Sequence, residues 1–350
     1  MDASPKLVFV FWLGVVVVIM TVFMLGVILV MRQRMLRKER NHVRASMLWA
    51  KVLGAAMRGD TAPAPALRKR DVSGFIDAWN RLHGELREQE STGMARIAHE
   101  VGLERQLYGL IDHGGFHSRL MAIIALGYMR SRAHFDRIAR FLDDRSPIVS
   151  LCAARALMQI DSAQAVSMFV PHIVSRSDWS QGSVAEILKV GEPGTVAKEL
   201  GAVALQANAE VAPRLIRFLA GVNPDQAAPV IRKILADPPD DHLISTCLQV
   251  MAHADDLPLV RPLLTHPRWH VRMQAASALG RIGEPSDEYL LMPLLTDEQW
   301  WVRYRAAKAL TKLPSIGEKE VMRIRHAQTD RFACDILDQV MAEQKIGVQQ

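Results

Sequence analysis

The chain has 350 residues, 49% of them hydrophobic and 23% charged. This is ordinary globular usage and excludes a mainly disordered or fibrous protein. The formal charge of +6 is uneven: residues 1–31 balance, residues 32–70 carry eleven Lys/Arg against Glu39 and Asp60, and residues 71–350 carry 31 basic and 34 acidic side chains. A body with this slight acidic excess lacks the footprint of a nucleic-acid binder. Three scattered cysteines, Cys152, Cys247 and Cys334, make neither a disulfide framework nor a Cys-rich zinc site.

From Leu7 to Met31 the chain runs 25 residues, LVFVFWLGVVVVIMTVFMLGVILVM, without a charged side chain. As a helix this stretch would be about 37 Å long, enough to cross a hydrocarbon core of about 30 Å with some tilt. A secretion signal would have a shorter apolar centre and a small-residue cleavage site, which Val27-Ile28-Leu29-Val30-Met31 does not offer. The expectation is an uncleaved transmembrane helix over residues 7–31. Only Asp2 and Lys6 precede it, whereas Arg32, Arg34, Arg37, Lys38, Arg40, Arg44 and Lys51 follow. Basic residues stay on the cytoplasmic side. A single-pass inner-membrane anchor is therefore expected, with the N-terminus outside and residues 32–350 in the cytoplasm, and the unpaired cysteines fit a reducing compartment. Arg32, Arg34, Arg37, Lys38 and Arg40 would lie against anionic lipid head groups, each contributing about 1 kcal/mol.

Residues 32–70 read as a basic juxtamembrane helix and a Pro/Gly hinge. Met35, Val43, Met47, Leu48 and Leu53 recur in loose helical spacing before Gly54, Gly59, Pro63 and Pro65 interrupt it. Residues 71–107 follow as a helical pair. Val72, Phe75, Ile76, Trp79, Leu82 and Leu86 line the first helix, and Met94, Ile97, Val101 and Leu107 the second. Trp79 reads as a core residue.

Beyond residue 108 the chain repeats itself. HVRMQAASALGRIG (270–283) falls on WVRYRAAKALTKLP (301–314) at an offset of 31, matching Val271 to Val302, Arg272 to Arg303, Ala275 to Ala306, Ala276 to Ala307 and Leu279 to Leu310. Trp269 falls on Trp300, and IVSLCAARALMQID (148–161) joins the same register. The series Leu126, Leu157, Ile187, Leu219, Leu248, Leu279, Leu310 advances in steps of 29 to 32. Each unit holds a short apolar helix, as in Tyr289–Leu295, then a polar turn, Thr296–Gln299, whose Asp or Thr is placed to cap the next helix. Alanines on the second helix allow close approach. One pair cannot bury its apolar face alone, so stacking must supply the core. No alternating apolar run marks a strand. The expected fold is all-α, with a solenoid over residues 108–345. It comprises seven repeats and a C-terminal cap built on Val321, Ile324, Phe332, Ile336, Leu337 and Val340.

This pattern resembles the HEAT-repeat family, in particular its bacterial short-repeat form, whose second helix opens Val-Arg-x-x-Ala-Ala-x-Ala-Leu behind a turn Asp. The resemblance covers about residues 108–340 and is carried by 142–161, 265–283 and 296–313. It implies a right-handed α-solenoid whose second helices line a concave surface, and a non-enzymatic role in binding a protein partner. By the same resemblance, membrane-tethered members serve as accessories to assemblies such as polysaccharide synthases. It also implies a ladder between turn Asp and helix Arg, for which Asp297 and Arg303 hold both positions. The pattern departs at Ser150, where the Arg after Asp144 is missing, at His113 before Arg119, and at His266 before Arg272.

No phosphate-binding glycine loop, nucleophile elbow or catalytic-cysteine signature occurs. His113 and His117 stand four residues apart, but Gly114-Gly115 between them reads as a loop and no third ligand is evident. Iron hydroxylases of the family need several His-Glu pairs, and only His99-Glu100 occurs. No catalytic, cofactor or metal residue is assigned. A lyase or hydroxylase of the family stands as one alternative, and a sensor of an anionic ligand or lipid through residues 32–70 as another. The candidate partner-binding residues are Trp301, Arg272, Arg303, Tyr304 and Arg305, an aromatic and arginine set of the kind enriched in interface hot spots. The shared repeat position of Trp269 and Trp300 points to packing between repeats. Trp301, which replaces His270, points to exposure.

Overall fold

The computed structural model describes residues 5–85, 92–238, 240–314 and 316–348. Among them every regular element is a helix and no strand occurs. The chain divides into two units, residues 1–138 and 139–350.

The first unit begins with α1 (Pro5–Met57), a single helix of 53 residues. From Val18 onward it is long and apolar enough to cross a membrane by length and composition, and its apolar window is unburied. The last turns of α1 belong to the folded body. Ala45, Trp49, Leu53 and Ala56, spaced i, i+4, i+8 and i+11, are buried, while Met35, Val43, Met47 and Leu48 are exposed. The inward stripe is therefore not the one expected from the larger side chains. It packs on α2 (Val72–Glu85) and α3 (Thr92–Glu100). Trp49 meets Phe75 edge-on with ring centroids 4.8 Å apart, and Trp79 is buried beside them. A Cβ added at Gly74 would stand 2.6 Å from the Ala45 Cβ, so only glycine allows α2 to approach α1 this closely. Leu86 lies outside the described residues.

The helix expected after α2 is two helices. Gly102, at φ +63° in the left-handed region, separates α3 from α4 (Leu103–His113). Met94, Ile97 and Leu107 are buried as expected, whereas Val101 lies at the break. The segment expected to act as a hinge is tied to α3: Arg96 Nη2 donates to the Asp60 carbonyl at 3.0 Å, and Glu100 Oε2 accepts from the Ala64 N–H at 3.3 Å. Gly114-Gly115 is the loop between α4 and α5 (Phe116–Met129). A short helix, α6 (Phe135–Ala139), reaches the division between the units.

The second unit continues with α7 (Pro147–Ile160) and then pairs of helices. These are α8 (Ser162–Ser175) with α9 (Gln181–Leu188), α10 (Pro193–Ala204) with α11 (Ala212–Val222), and α12 (Pro224–Ala236) with α13 (Asp241–Val250). Then come α14 (Leu257–Val260) with α15 (Trp269–Ile282), α16 (Glu288–Leu291) with α17 (Trp300–Leu310), and α18 (Glu318–Ala327) with α19 (Arg331–Val348). The second helices α7, α9, α11, α13, α15, α17 and α19 pack one on the next in chain order. All seven leucine-type positions, from Leu126 to Leu310, are 0–4% exposed, so the periodic core read from sequence is the core of the fold. A Cβ on Gly280 would lie 2.7 Å from Ala309 Cα, which shows how closely α15 and α17 approach. The first helices of two late repeats pass from α to 3-10 geometry at Arg261–Thr265 and Met292–Thr296. Pro262 and Pro293 stand at the start of each 3-10 segment and remove an amide donor there. In the cap, Phe332 is exposed rather than buried, its ring 5.2 Å from the Arg303 guanidinium. The other five expected cap residues are buried.

Candidate functional site

The turn before the second helix is built the same way in the three strongest copies. Asp297 Oδ1 accepts from the Gln299 N–H at 2.9 Å, Asp144 Oδ1 from Ser146 N–H at 2.8 Å, and His266 Nδ1 from Arg268 N–H at 3.2 Å. The side chain closes a turn two residues ahead instead of capping the helix, and Gln299, Ser146 and Arg268 stand at the cap without a side-chain cap bond. An imidazole nitrogen can supply the same acceptor as a carboxylate, so His266 fits a position otherwise held by Asp.

Arg272 serves two repeats at once. Its Nη1 donates to the carbonyls of His266 and Pro267 at 2.9 and 3.1 Å, and its Nε and Nη2 form a bidentate pair with Asp297 at 2.7 and 2.9 Å. Hydrogen bonding to Asp297 raises the Arg272 pKa above its ordinary value. The rung therefore runs from Arg272 to the aspartate of the following repeat, and His266 does not interrupt it. Arg303 Nη1 donates to the Asp297 and Glu298 carbonyls at 2.7 and 3.2 Å. Where Ser150 replaces the arginine, Arg176 Nη1 bonds the Leu142 and Asp144 carbonyls at 3.2 and 2.9 Å, and Ser150 Oγ accepts from Trp179 Nε1 at 2.9 Å. Arg272 and Arg303, expected to meet a partner, are thus engaged inside the fold.

The aromatic members face outward. Trp301 is 51% exposed, Trp300 40% and Trp269 39%. The packing expected for Trp269 and Trp300 does not bury them, because each sits in the first turn of its helix. Trp300 stacks on Tyr304 with centroids 5.2 Å apart and an interplanar angle of 9°, and Trp301 meets Trp300 edge-on at 4.7 Å. Tyr304 donates to Glu343 Oε2 at 2.8 Å. Arg305 is half-buried and its Nε has no hydrogen-bond partner.

Among the described residues no group of three or more His, Cys, Asp or Glu side chains is placed to hold a metal. Burial pushes the Cys247 thiol up to about 12 and raises that of Cys152 as well, the opposite of what a nucleophilic cysteine needs. A cavity of about 520 Å³ is walled by Asp143, Pro171, His172, Ser175 and Arg176. His172 Nε2 lies 3.0 Å from Asp143 Oδ1 there, and Ser175 Oγ is spent on the His172 carbonyl at 3.4 Å.

A family described as HEAT repeats matches residues 108–189, 242–311 and 258–330, the same helix pairs that carry these turns. Residues 108–189 and 242–330 are HEAT repeats. Residues 190–241 lie outside the matched segments, yet α10, α11 and α12 pack there as the other pairs do. No curated protein matches this HEAT-repeat protein. Two crystal structures, each described as an engineered protein of the Northeast Structural Genomics Consortium, are similar to it. One is 16% identical over 86% of this chain and 95% of its own, with a TM-score of 0.33. The other is 19% identical over 77% of this chain and 97% of its own, with a TM-score of 0.23.

The HEAT-repeat protein carries a second ladder that sequence reasoning missed. Asp256 and Asp287, each 1% exposed, receive Arg232 Nε at 2.5 Å and Arg261 Nε at 2.7 Å from the preceding repeat. Arg261 also reaches Glu284 at 2.7 Å. The signal is present, since Asp256 and Asp287 are 31 residues apart, but a buried acid leaves no trace in the apolar register. Trp179, buried against Ser150, was missed for a related reason: it lies outside the repeated positions.

Proposed function

We propose that this HEAT-repeat protein is a membrane-anchored scaffold that holds a protein partner at the cytoplasmic face of a bilayer, as an accessory of a membrane assembly and without catalysis. In this reading residues 7–31 span the inner membrane with the N-terminus outside. Arg32, Arg34, Arg37, Lys38 and Arg40 rest against anionic head groups. Trp301, Tyr304 and Arg305, together with Trp300, receive the partner. The observation that carries the partner site is the exposure of three tryptophans in one stretch of helix starts, 39–51% open. Large amphipathic rings left open beside an arginine are the composition of binding hot spots. HEAT repeats commonly serve protein–protein contacts, and α1 carries the repeats as one helix continuous from the apolar stretch into the body.

The test is a photo-reactive side chain at exposed Gln299 in the full chain, expressed in cells. One protein species should be trapped, and Trp301→Ala should remove it while lowering the melting temperature less than Trp300→Ala does. A trapped species indifferent to Trp301→Ala, or equal stability losses for the two variants, overturns the partner site. A C-terminal reporter active outside the cytoplasm overturns the topology.

A further inference from the structure

The exposed face of the second helices carries charge of one sign. With Leu310 pointing into the core, Trp301, Arg305 and Lys308 lie at i, i+4 and i+7 in a stripe on the opposite side of α17, and Lys312 follows in the turn just past its end. The last three of those positions, read back through the repeats of residues 139–350, hold eight cations and no carboxylate. Lys189 pairs with Glu186 at 2.8 Å, Arg214 is engaged by the carbonyls of Ile173 and Val174, and Arg281 gives part of its guanidinium to the carbonyls of Ser277, Leu248 and Met251. Arg155, Arg217, Arg281, Arg305, Lys308 and Lys312 form no ion pair with a carboxylate among the described residues. Elsewhere in this unit Arg232 pairs with Asp256, Arg261 with Asp287, Arg272 with Asp297, and Arg325 with Asp338, while Arg303 is held by the Asp297 and Glu298 carbonyls. The stripe thus gathers six cations without a carboxylate partner on a body whose net charge is slightly negative. Acids near the stripe are few. Glu210 and Asp178 stand at its first position, Asp178 paired with Arg176 at 2.7 Å, and Glu343 is held by Tyr304.

Resting on the scaffold reading above, we propose that the partner is bound through an acidic polypeptide segment lying across the second helices, with its carboxylates on Arg281, Arg305, Lys308 and Lys312 and an apolar side chain against Trp301. Packed helices lie about 8–10 Å apart, and an extended chain advances about 3.3 Å per residue. One carboxylate every third residue would therefore meet successive helices. A nucleic acid fits less well, because its affinity comes from neutralising many phosphates, and the body around this stripe is acidic overall.

The test is fluorescence anisotropy on the full chain in detergent micelles. The probe is a labelled peptide of about twelve residues, with Glu at every third position and Leu and Ser between, compared with the same peptide carrying Gln. The Glu peptide should bind about tenfold or more tighter than the Gln peptide and weaken with salt. It should lose about tenfold in Arg305→Gln/Lys308→Gln/Lys312→Gln. The Lys308→Gln/Lys312→Gln pair, which leaves half-buried Arg305 in place, should lose part of the same affinity and guards against misfolding of the triple variant. Equal binding of the Glu and Gln peptides overturns the acidic segment, as does tighter binding of a single-stranded oligonucleotide of about the same length. If either occurs while cross-linking from position 299 still depends on Trp301, the scaffold reading stands and only the acidic partner falls.

Discussion

At the residue scale, the informative groups are polar ones the fold has enclosed. His134 is fully buried. Its Nδ1 lies 2.7 Å from Tyr108 Oη, and Glu104 stands 3.7 Å from its Nε2. Burial lowers the His134 pKa, opposed by the Glu104 charge. His83, stacked near Trp79 and Tyr128, is also lowered, mainly by burial. A histidine lowered in the folded state stays neutral while the unfolded chain takes up a proton near pH 6.5. The unfolded state then binds more protons, so stability is present above that pH and falls as pH drops through the folded value. The first unit should melt at lower temperature at about pH 5 than at about pH 7.5, and His134→Asn should flatten that difference. An unchanged pH slope in the variant would place the dependence elsewhere. The arginines make the complementary point: Arg272 and Arg303 carried the sequence motif, yet Arg272 is held by turn carbonyls and the Asp297 carboxylate, and Arg303 Nη1 by turn carbonyls. Arg305 carried no motif position and has no carboxylate partner among the described residues.

At the element scale, close approach of helices depends on missing atoms. Gly280 and Ala309 bring α15 and α17 together, and Gly74 lets α2 settle on α1. Gly280→Ala would place a methyl 2.7 Å from a backbone carbon, where no flexible side chain can yield. Overpacking of this kind costs about 1–3 kcal/mol, which outweighs the gain of less than about 1 kcal/mol from replacing a helical glycine with alanine. The melting temperature should fall. A rise would mean that the two helices can separate without loss and that their packing contributes little. The alanine register made the second helices legible in sequence. The first helices were less so, because Pro262 and Pro293 convert them to 3-10 turns, and Gly102 divided a helix that apolar spacing alone had joined.

At the scale of the whole molecule, α1 joins the apolar stretch to a folded body through Trp49, Leu53 and their contacts with Phe75. Removing the apolar stretch and removing all of α1 are therefore different operations. A chain starting at Arg32 should be monodisperse without detergent and fold cooperatively. A chain starting at Asp60 exposes Phe75 and Trp79, and losing a contact to a buried Trp costs about 3–5 kcal/mol, so it should aggregate. Equal behaviour of the two in size-exclusion chromatography would mean that the end of α1 is dispensable. The separation into an anchor, a hinge and a body, natural from the glycines and prolines of 54–65, gives way here because Arg96 and Glu100 of α3 hold that segment in place.

What the sequence determined by itself was periodic: a helical register of about thirty-one residues, the inward leucine or isoleucine of each unit, the absence of strands among the described residues, and one apolar stretch of membrane-crossing length. Periodicity is visible in a string because packing repeats when geometry does. What the tertiary structure decided was pairing, namely which aspartate each arginine reaches, which tryptophans remain open and which face of the second helices carries unmatched cations. Pairing depends on neighbours about thirty residues away across a packed interface. The charge of a residue is written in the chain, but whether that charge is already answered is settled only when the helices come together.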